Sequence, residues 1–367
     1  MSNHPASNRL SAIRDVMKEK KVDSLLISSQ DNRRYLSGFA GSAGYLFITQ
    51  QDAVLATDFR YVEQAGRQAP AYRVVRIASG LDWFTDLLAE AKVKDLGFEA
   101  DDMTVATHQR LTQKLKETHG AGDTVTMAPL TGVADEIRTV KDAEELKLLQ
   151  RAIDISDRAM DQVAPTIEPG VTEVEVAWRL ERAMREMGAE GPSFDTIVGS
   201  GPNGALPHHR AGERPIQRGE PIVIDMGAKY QGYCSDLTRT ITIGSHDDTF
   251  RKVYDIVLGA QLTAMSLVKP GIPGAEADGY ARKVIEEAGY GENFGHSLGH
   301  GVGLAIHEYP GVGPTSQGIL KEGMVFTIEP GIYLSGWGGV RIEDVVLLGK
   351  NGAKTLSKAK KSGKLKA

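Results

Sequence analysis

The chain has 367 residues, enough for two domains of ordinary size, with 41% hydrophobic and 25% charged residues as in a globular protein in water. The net charge of −5 hides an asymmetry: seven lysines and no acids lie between Lys350 and Ala367, so the rest is strongly acidic and a poor match for nucleic acid. No apolar run approaches the roughly 18 residues that span a bilayer, no signal-like apolar segment follows the N-terminus, and Cys234 is the only cysteine, which excludes an intrachain disulfide and points to a cytoplasmic enzyme with no membrane role.

In chain order, Leu10 to Lys20 has helical periodicity and leads into Asp23–Ser28, a buried-strand pattern. Tyr45–Thr49 and Ala53–Ala56 flank Gln50-Gln-Asp52 and read as a hairpin. Helices are predicted over Tyr61–Gln68, Leu81–Ala91 and Thr104–Glu117, and strands over Tyr72–Ile77, Asp95–Phe98 and Thr124–Met127. That alternation predicts an α/β domain. Pro129-Leu-Thr-Gly-Val133 reads as a linker, which gives domains over residues 1–131 and 132–367.

Beyond it, Lys141-Asp-Ala-Glu-Glu opens a long amphipathic helix to about Ala164. Further helices are predicted over Thr172–Met187, Phe250–Val268 and Gly274–Ala288, bounded by Pro169-Gly170 and Pro270-Gly271. Strands backed by these helices make the second domain α+β. The closing Lys358-Ala-Lys-Lys-Ser-Gly-Lys-Leu-Lys run reads as a solvated, frayed terminus.

Two hairpins carry the chemistry. The first runs from Ile222 through Asp225 to Gly227 and returns through Tyr233, Asp236 and Thr240; a turn centred between Tyr230 and Gln231 would set Asp225 directly opposite Asp236. In the second, Glu329 and Glu343 are equally far from Gly336 and should also oppose one another. Like charges facing across a ladder are destabilising unless a cation or a proton intervenes, and apolar strand residues flank both pairs. Between the hairpins lies His296-Ser-Leu-Gly-His300-Gly-Val-Gly, whose spacing does not fit a dinucleotide loop and whose glycines would let the backbone bring His300 close to a metal. Four carboxylates and an imidazole suffice for two adjacent divalent cations.

The same residues carry a family resemblance. Leu206-Pro-His-His209, Val223-Ile-Asp-Met-Gly227, Ser235-Asp-Leu-Thr-Arg-Thr240, His296–Gly303, Ile328-Glu-Pro-Gly331 and Gly339-Val-Arg-Ile-Glu-Asp344 resemble, in order, the motifs of the pita-bread metallopeptidases of family M24. In the first domain, Asn32-Arg-Arg-Tyr-Leu-Ser-Gly-Phe-Ala-Gly-Ser and Thr57-Asp-Phe-Arg-Tyr resemble the accessory domain of creatinase, prolidase and aminopeptidase P. Methionine aminopeptidases are similar only in the catalytic half, so a proline-directed enzyme is implied.

The resemblance implies the following site. Asp225, Asp236, His300, Glu329 and Glu343 would hold two divalent ions, Mn²⁺ first, with Co²⁺ or Zn²⁺ as alternatives; Glu329 would also act as the general base. His208 and His307 would stabilise the oxyanion and orient the scissile carbonyl, and His296 would lie near the substrate amine. Arg341 falls on the same strand face as Glu343 and can offset the acids or bind a substrate carboxylate. Arg341 would thereby join His208, His307 and Glu329 among the catalytic groups, and Tyr333 would line the substrate site with His208, His296 and His307. Tyr333 and Asp344 would also support the metal ligands, and His209 should point elsewhere. The expected substrates are short proline-containing peptides, cut as by an Xaa-Pro aminopeptidase, with a strict Xaa-Pro dipeptidase (prolidase) as the alternative. A homodimer is implied, with accessory segments closing over a neighbour's cleft. Two other classes remain: a metal-independent creatinase-like hydrolase and a binding-only scaffold.

Overall fold

The computed structural model describes residues 5–118, 125–361 and the short strand 364–365. Thr124, which opens one predicted strand, and the end of the lysine-rich run lie outside the described residues. Contacts divide the chain into one unit up to Arg138 and another from Thr139.

The first unit is built on a six-stranded mixed sheet. Its order is Arg73–Ile77, Ala53–Asp58, Tyr45–Thr49, Ser24–Ile27, Asp95–Glu99 and Thr126–Leu130. The predicted hairpin is present, with Ile48 opposite Ala53. Helices Asp82–Ala91 and Val105–Thr118 place Phe84, Leu87, Leu88, Leu111 and Leu115 in one core with Leu26, Phe47 and Leu96 from the strands. A helix not predicted from periodicity, Gln30–Ser37, covers the Asn32-Arg-Arg-Tyr motif; Ser29 caps its start and Gly38, at φ +84°, ends it in the left-handed conformation that glycine takes without steric cost.

The second unit repeats one layout twice. Helices Ala143–Val163 and Glu173–Glu186 pack on strands Ile197–Ser200, Ile222–Met226 and Leu237–Ile243. Helices Asp248–Leu267 and Gly274–Glu287 pack on strands Val325–Ile328, Gly331–Leu334, Gly338–Arg341 and Asp344–Gly349. The starts of three of these helices are set locally. Asp142 and Glu145 form a reciprocal capping box, and Thr172 and Asp247 accept from first-turn amides. The two sheets are stitched together where the acidic strands meet: Glu343 N–H donates to Thr238 O at 3.1 Å, and Arg341 N–H to Thr240 Oγ1 at 3.0 Å. That seam is where the site forms.

The lysine-rich end departs from its sequence reading. Ser357 and Ala359 are buried, Asp157 accepts from the amides of Lys358 and Ala359 at 2.7 and 2.9 Å, and the Arg239 guanidinium donates to Ala359 O at 2.7 Å. Asp157 and Arg239 are buried polar groups that need partners, and the backbone of residues 358–360 supplies them. The run through Lys361 is a packed strap. Its far end also pairs, Lys361 Nζ lying 2.5 Å from Asp344 Oδ2.

Candidate metal centre

The first acidic hairpin is shifted from the expected register. Lys229 opposes Cys234 and Asp225 opposes Thr238, so the turn is Gln231-Gly232, with φ of 44° and 82°. Two positive φ values are what a tight two-residue hairpin turn requires, and glycine supplies the second readily. Asp236 is therefore one pair nearer the turn than expected, diagonal to Asp225 on the same face. The second hairpin has the expected register: Ile328 opposes Asp344 and Gly331 opposes Arg341, which leaves Glu329 and Glu343 at facing positions.

His300 is delivered by the strand Gly299–Gly301. A Cβ on Gly299 would stand 2.0 Å from Thr327 O, and one on Gly301 would stand 2.3 Å from Tyr309 O. Only glycine permits that approach on both sides of the histidine. His300 Nδ1 lies 3.1 Å from Gly301 O, which favours the Nδ1–H tautomer and leaves Nε2 facing the acids. Nε2 lies 3.2 Å from Glu329 Oε1 and 3.6 Å from Asp236 Oδ2. Ligand atoms of Asp236, His300 and Glu343 all fall within 4.8 Å of one another; Asp225 and Glu329 lie outside that tightest group but line the same cavity of about 560 Å³. Its size is within the usual range for small-molecule sites.

The electrostatics match a cation site. Burial, then the charges of Glu343, Asp225 and Glu329, hold the Asp236 carboxyl well above its ordinary value. Burial and the charges of Glu329 and Asp225 do the same to Glu343. Burial also raises Asp225, against the pull of Arg341. Burial would raise Glu329 too, but the hydrogen bond and charge of His300 outweigh it and keep that group below its ordinary range. Asp225 Oδ1 and Glu343 Oε1 are buried acceptors without a hydrogen-bond partner among the described residues, although their other oxygens are engaged. Buried acceptors left open beside an imidazole nitrogen fit a divalent cation.

A chain of hydrogen bonds braces the acids. Arg341 is 3% exposed and donates from Nη2 to Asp225 Oδ2 at 2.6 Å, from Nε to Thr238 Oγ1 at 3.1 Å and from Nη1 to Tyr333 OH at 2.7 Å. Tyr333 OH lies 2.9 Å from His296 Nε2. Thr238 donates to Glu343 Oε2 at 2.6 Å, and Thr327 to Glu329 Oε1 at 2.9 Å. Arg341 is thus committed to Asp225. His208 and His307 stand on the cavity wall, the His307 ring 4.3 Å from that of His300. Burial and the His300 charge push His307 below its ordinary value, favouring a neutral ring.

Sequence reasoning missed the groups that fix the histidine loops. Lys141 Nζ meets Glu308 Oε1 at 2.6 Å, the two side chains 1% and 9% exposed, so a buried ion pair pins the residue after His307. Glu173, wholly buried, accepts from Ser200 N and Oγ at 2.8 and 2.7 Å and from Asn203 Nδ2 at 3.1 Å, and lies 2.8 Å from His209 Nε2. One carboxylate therefore ties down the segment that carries His208. In sequence Glu173 reads only as a first-turn helix acid. Glu173→Gln is expected to keep the metal-dependent rise in melting temperature but to lower kcat/KM about tenfold, since an amide cannot satisfy these donors. Unchanged kcat/KM would show that the segment is held without it.

A cavity floored by four carboxylates and an imidazole defines a metal-dependent hydrolase. The profile of Metallopeptidase family M24 matches residues 147–350, and that of the Creatinase/Prolidase N-terminal domain matches residues 9–140. The chain belongs to metallopeptidase family M24, with a creatinase-like N-terminal domain and a pita-bread catalytic domain. It is 40% identical to the Xaa-Pro dipeptidase of Pyrococcus horikoshii, over 97% of this chain and 98% of that protein. It superposes on an Xaa-Pro dipeptidase from Bacillus anthracis with a TM-score of 0.93 (40% identity, 97% and 99% of the two chains). An X-Pro aminopeptidase from Thermotoga maritima gives 0.87 (37% identity, 96% and 98%). Among the described residues no helix is long and apolar enough to cross a membrane.

Proposed function

We propose that this protein is an Xaa-Pro dipeptidase dependent on two divalent cations, Mn²⁺ first among them. The observation that carries the reading is the five-residue cluster of Asp225, Asp236, His300, Glu329 and Glu343 on one cavity, in a chain similar from end to end to proteins named Xaa-Pro dipeptidase. The sequence reading put the aminopeptidase first and the dipeptidase second; the relatives favour reversing that order. Likeness to the Thermotoga maritima X-Pro aminopeptidase keeps the aminopeptidase as the second reading.

Those five side chains would hold the cations. Bound there, divalent ions would polarise the scissile carbonyl and bring the pKa of water toward neutrality. Glu329 accepts the proton of the attacking water and passes it to the departing nitrogen. That transfer is needed because a proline nitrogen carries no hydrogen in the peptide and leaves only when protonated. His208 and His307 donate hydrogen bonds to the carbonyl oxygen as negative charge develops on it. Arg341 keeps Asp225 in its rotamer, and His296 with Tyr333 borders the substrate amine. The same reading includes a homodimer, on the resemblance of the accessory motifs alone.

Ala-Pro and Ala-Pro-Ala-Ala, each assayed with Mn²⁺ and with chelator, test this. Ala-Pro should be cleaved at least about tenfold faster, chelator should silence the protein, and Mn²⁺ or Co²⁺ should restore it. Faster cleavage of the tetrapeptide selects the aminopeptidase. Activity that survives chelation would move the protein to the creatinase-like class, and Ala-Ala cleaved as fast as Ala-Pro would end the proline reading.

A further inference from the structure

We propose that Arg239 is a positioning residue for the metal centre. Clamped from behind by the strap of residues 357–361, it sets how closely the acids of the two sheets approach and so how tightly the site holds divalent cations. The inference rests on the metal reading and is indifferent to the length of the peptide cut. A cation held by both Asp236 and Glu343 needs side chains from two different sheets, whose ligand atoms lie within 4.8 Å of one another and of His300. Asp236 leads into strand Leu237–Ile243, and Glu343 stands between strands Gly338–Arg341 and Asp344–Gly349. Ligands work only when held within about 0.5 Å of their productive positions, so whatever fixes the seam between the sheets tunes the site.

Arg239 fixes the seam from the side away from the cavity. Thr238 and Arg239 are consecutive in one strand, so their side chains point to opposite faces. Thr238 Oγ1 donates to the Glu343 carboxylate, while Arg239 Nη1 donates to Thr238 O at 2.9 Å and to Glu343 O. One nitrogen thus bridges the backbones of both sheets at the residue that would hold the cation. Nη2 donates to Asp344 Oδ1 at 2.8 Å. The remaining donors are met by the strap: Nε lies 3.3 and 3.2 Å from Ala359 O and Lys360 O, and Nη2 also donates to Ala359 O. Arg239 is 2% exposed, so without the strap those donors would be buried and unpaired, and the guanidinium would have to move to satisfy them. The strap itself spans both halves of the unit. Leu356 N–H donates to Val345 O at 2.9 Å and Ser357 Oγ accepts from Val345 N at 3.1 Å, on the second sheet. Ala359 packs in the core of the first half, where Asp157 accepts its amide. Neither Asp157, Arg239 nor any residue of the strap lines the cavity, so their influence on a cation runs through the backbone of Thr238 and Glu343.

The test is a calorimetric Mn²⁺ titration of the metal-free, folded protein, on wild type, Arg239→Lys, Asp157→Asn and the double variant. Lysine keeps the charge but offers one nitrogen where the guanidinium offers three. Arg239→Lys is expected to weaken Mn²⁺ binding about 10- to 100-fold, the usual range for a group behind a metal ligand, with kcat for Ala-Pro close to wild type at saturating Mn²⁺. Asp157→Asn leaves Arg239 in place and should weaken binding by a smaller factor. The double variant should bind no more weakly than Arg239→Lys alone, because both changes act through one contact. Unchanged Mn²⁺ affinity in folded Arg239→Lys, whatever its melting temperature, would make Arg239 a scaffold group and overturn the inference; additive losses would overturn the link to the strap. Should Arg239→Lys fail to fold, Lys361→Met takes its place beside Asp157→Asn, since it removes the contact of Asp344 with the end of the strap. Unchanged affinity in both then overturns the inference. Wild type that binds no Mn²⁺ would overturn the metal reading itself.

Discussion

Replacing Asp236 by Asn is expected to lower turnover roughly a thousandfold, about 4 kcal/mol in barrier, while making the metal-free protein more stable. The two effects have one cause. Asp236 is buried among Glu343, Asp225 and Glu329, and its carboxyl is held well above the ordinary range by burial first and those charges second. Without a cation the folded chain must keep a proton there or bear the repulsion, and either costs stability at neutral pH. Asn keeps the shape and removes the charge.

The sign follows from linkage. A carboxyl with a raised folded-state pKa binds its proton more tightly folded than unfolded, so its contribution to stability falls as pH rises above the unfolded value near 4. The advantage of Asp236→Asn in chelator should therefore be larger at pH 8 than at pH 5. Melting curves at both values, with and without Mn²⁺, give the readout; a unit of this size moves about 2–4 °C per kcal/mol. With Mn²⁺ the order should reverse, because wild type gains the ligand's binding energy and the variant loses most of it. A variant with full turnover and an undiminished Mn²⁺ shift would remove Asp236 from the ligand set.

How much of this was legible in the sequence depends on how local each cause is. The helix starts were readable because their signals lie within one turn, as with Asp142 and Glu145. The second acidic hairpin was readable because its two acids are symmetric about Gly336. The first was misplaced by one pair because the turn was centred ahead of Gln231, whereas Gly232 belongs inside it as the residue that takes positive φ easily. Glu173 was invisible as an anchor because its partners lie 27 to 39 residues away with no pattern linking them. The lysine-rich strap was misread for the same reason: Asp157 and Arg239, which hold it, are more than a hundred residues distant. Composition rewards a solvated reading of such a run, and only the buried partners overrule it.

Replacing Glu329 by Gln is expected to cut kcat for Ala-Pro by about a thousandfold with little change in KM, within the 10²- to 10⁴-fold span typical of losing a general base. Two observations motivate that role over a purely metal-holding one. Glu329 is the one acid of the four kept below its ordinary value, because the hydrogen bond and charge of His300, with His296 and Arg341, outweigh the effect of burial. Its surroundings thus differ from those of Asp236 and Glu343, which burial and neighbouring carboxylates hold above their ordinary values. Its Oε1 also sits 3.2 Å from His300 Nε2 and accepts from Thr327 at 2.9 Å, so the carboxylate is oriented before any substrate arrives. Gln preserves the size and one acceptor oxygen but cannot carry the proton to the proline nitrogen. A ligand defect and a base defect separate on titration with Mn²⁺. Loss of a ligand weakens metal binding, so high Mn²⁺ restores turnover; loss of the base leaves a saturated, stabilised and slow protein. Recovery of wild-type kcat at saturating Mn²⁺ would assign Glu329 to metal binding alone and transfer the proton relay to another group in the cavity, with His307, neutral and 4.3 Å from His300 by ring centre, the next to be replaced.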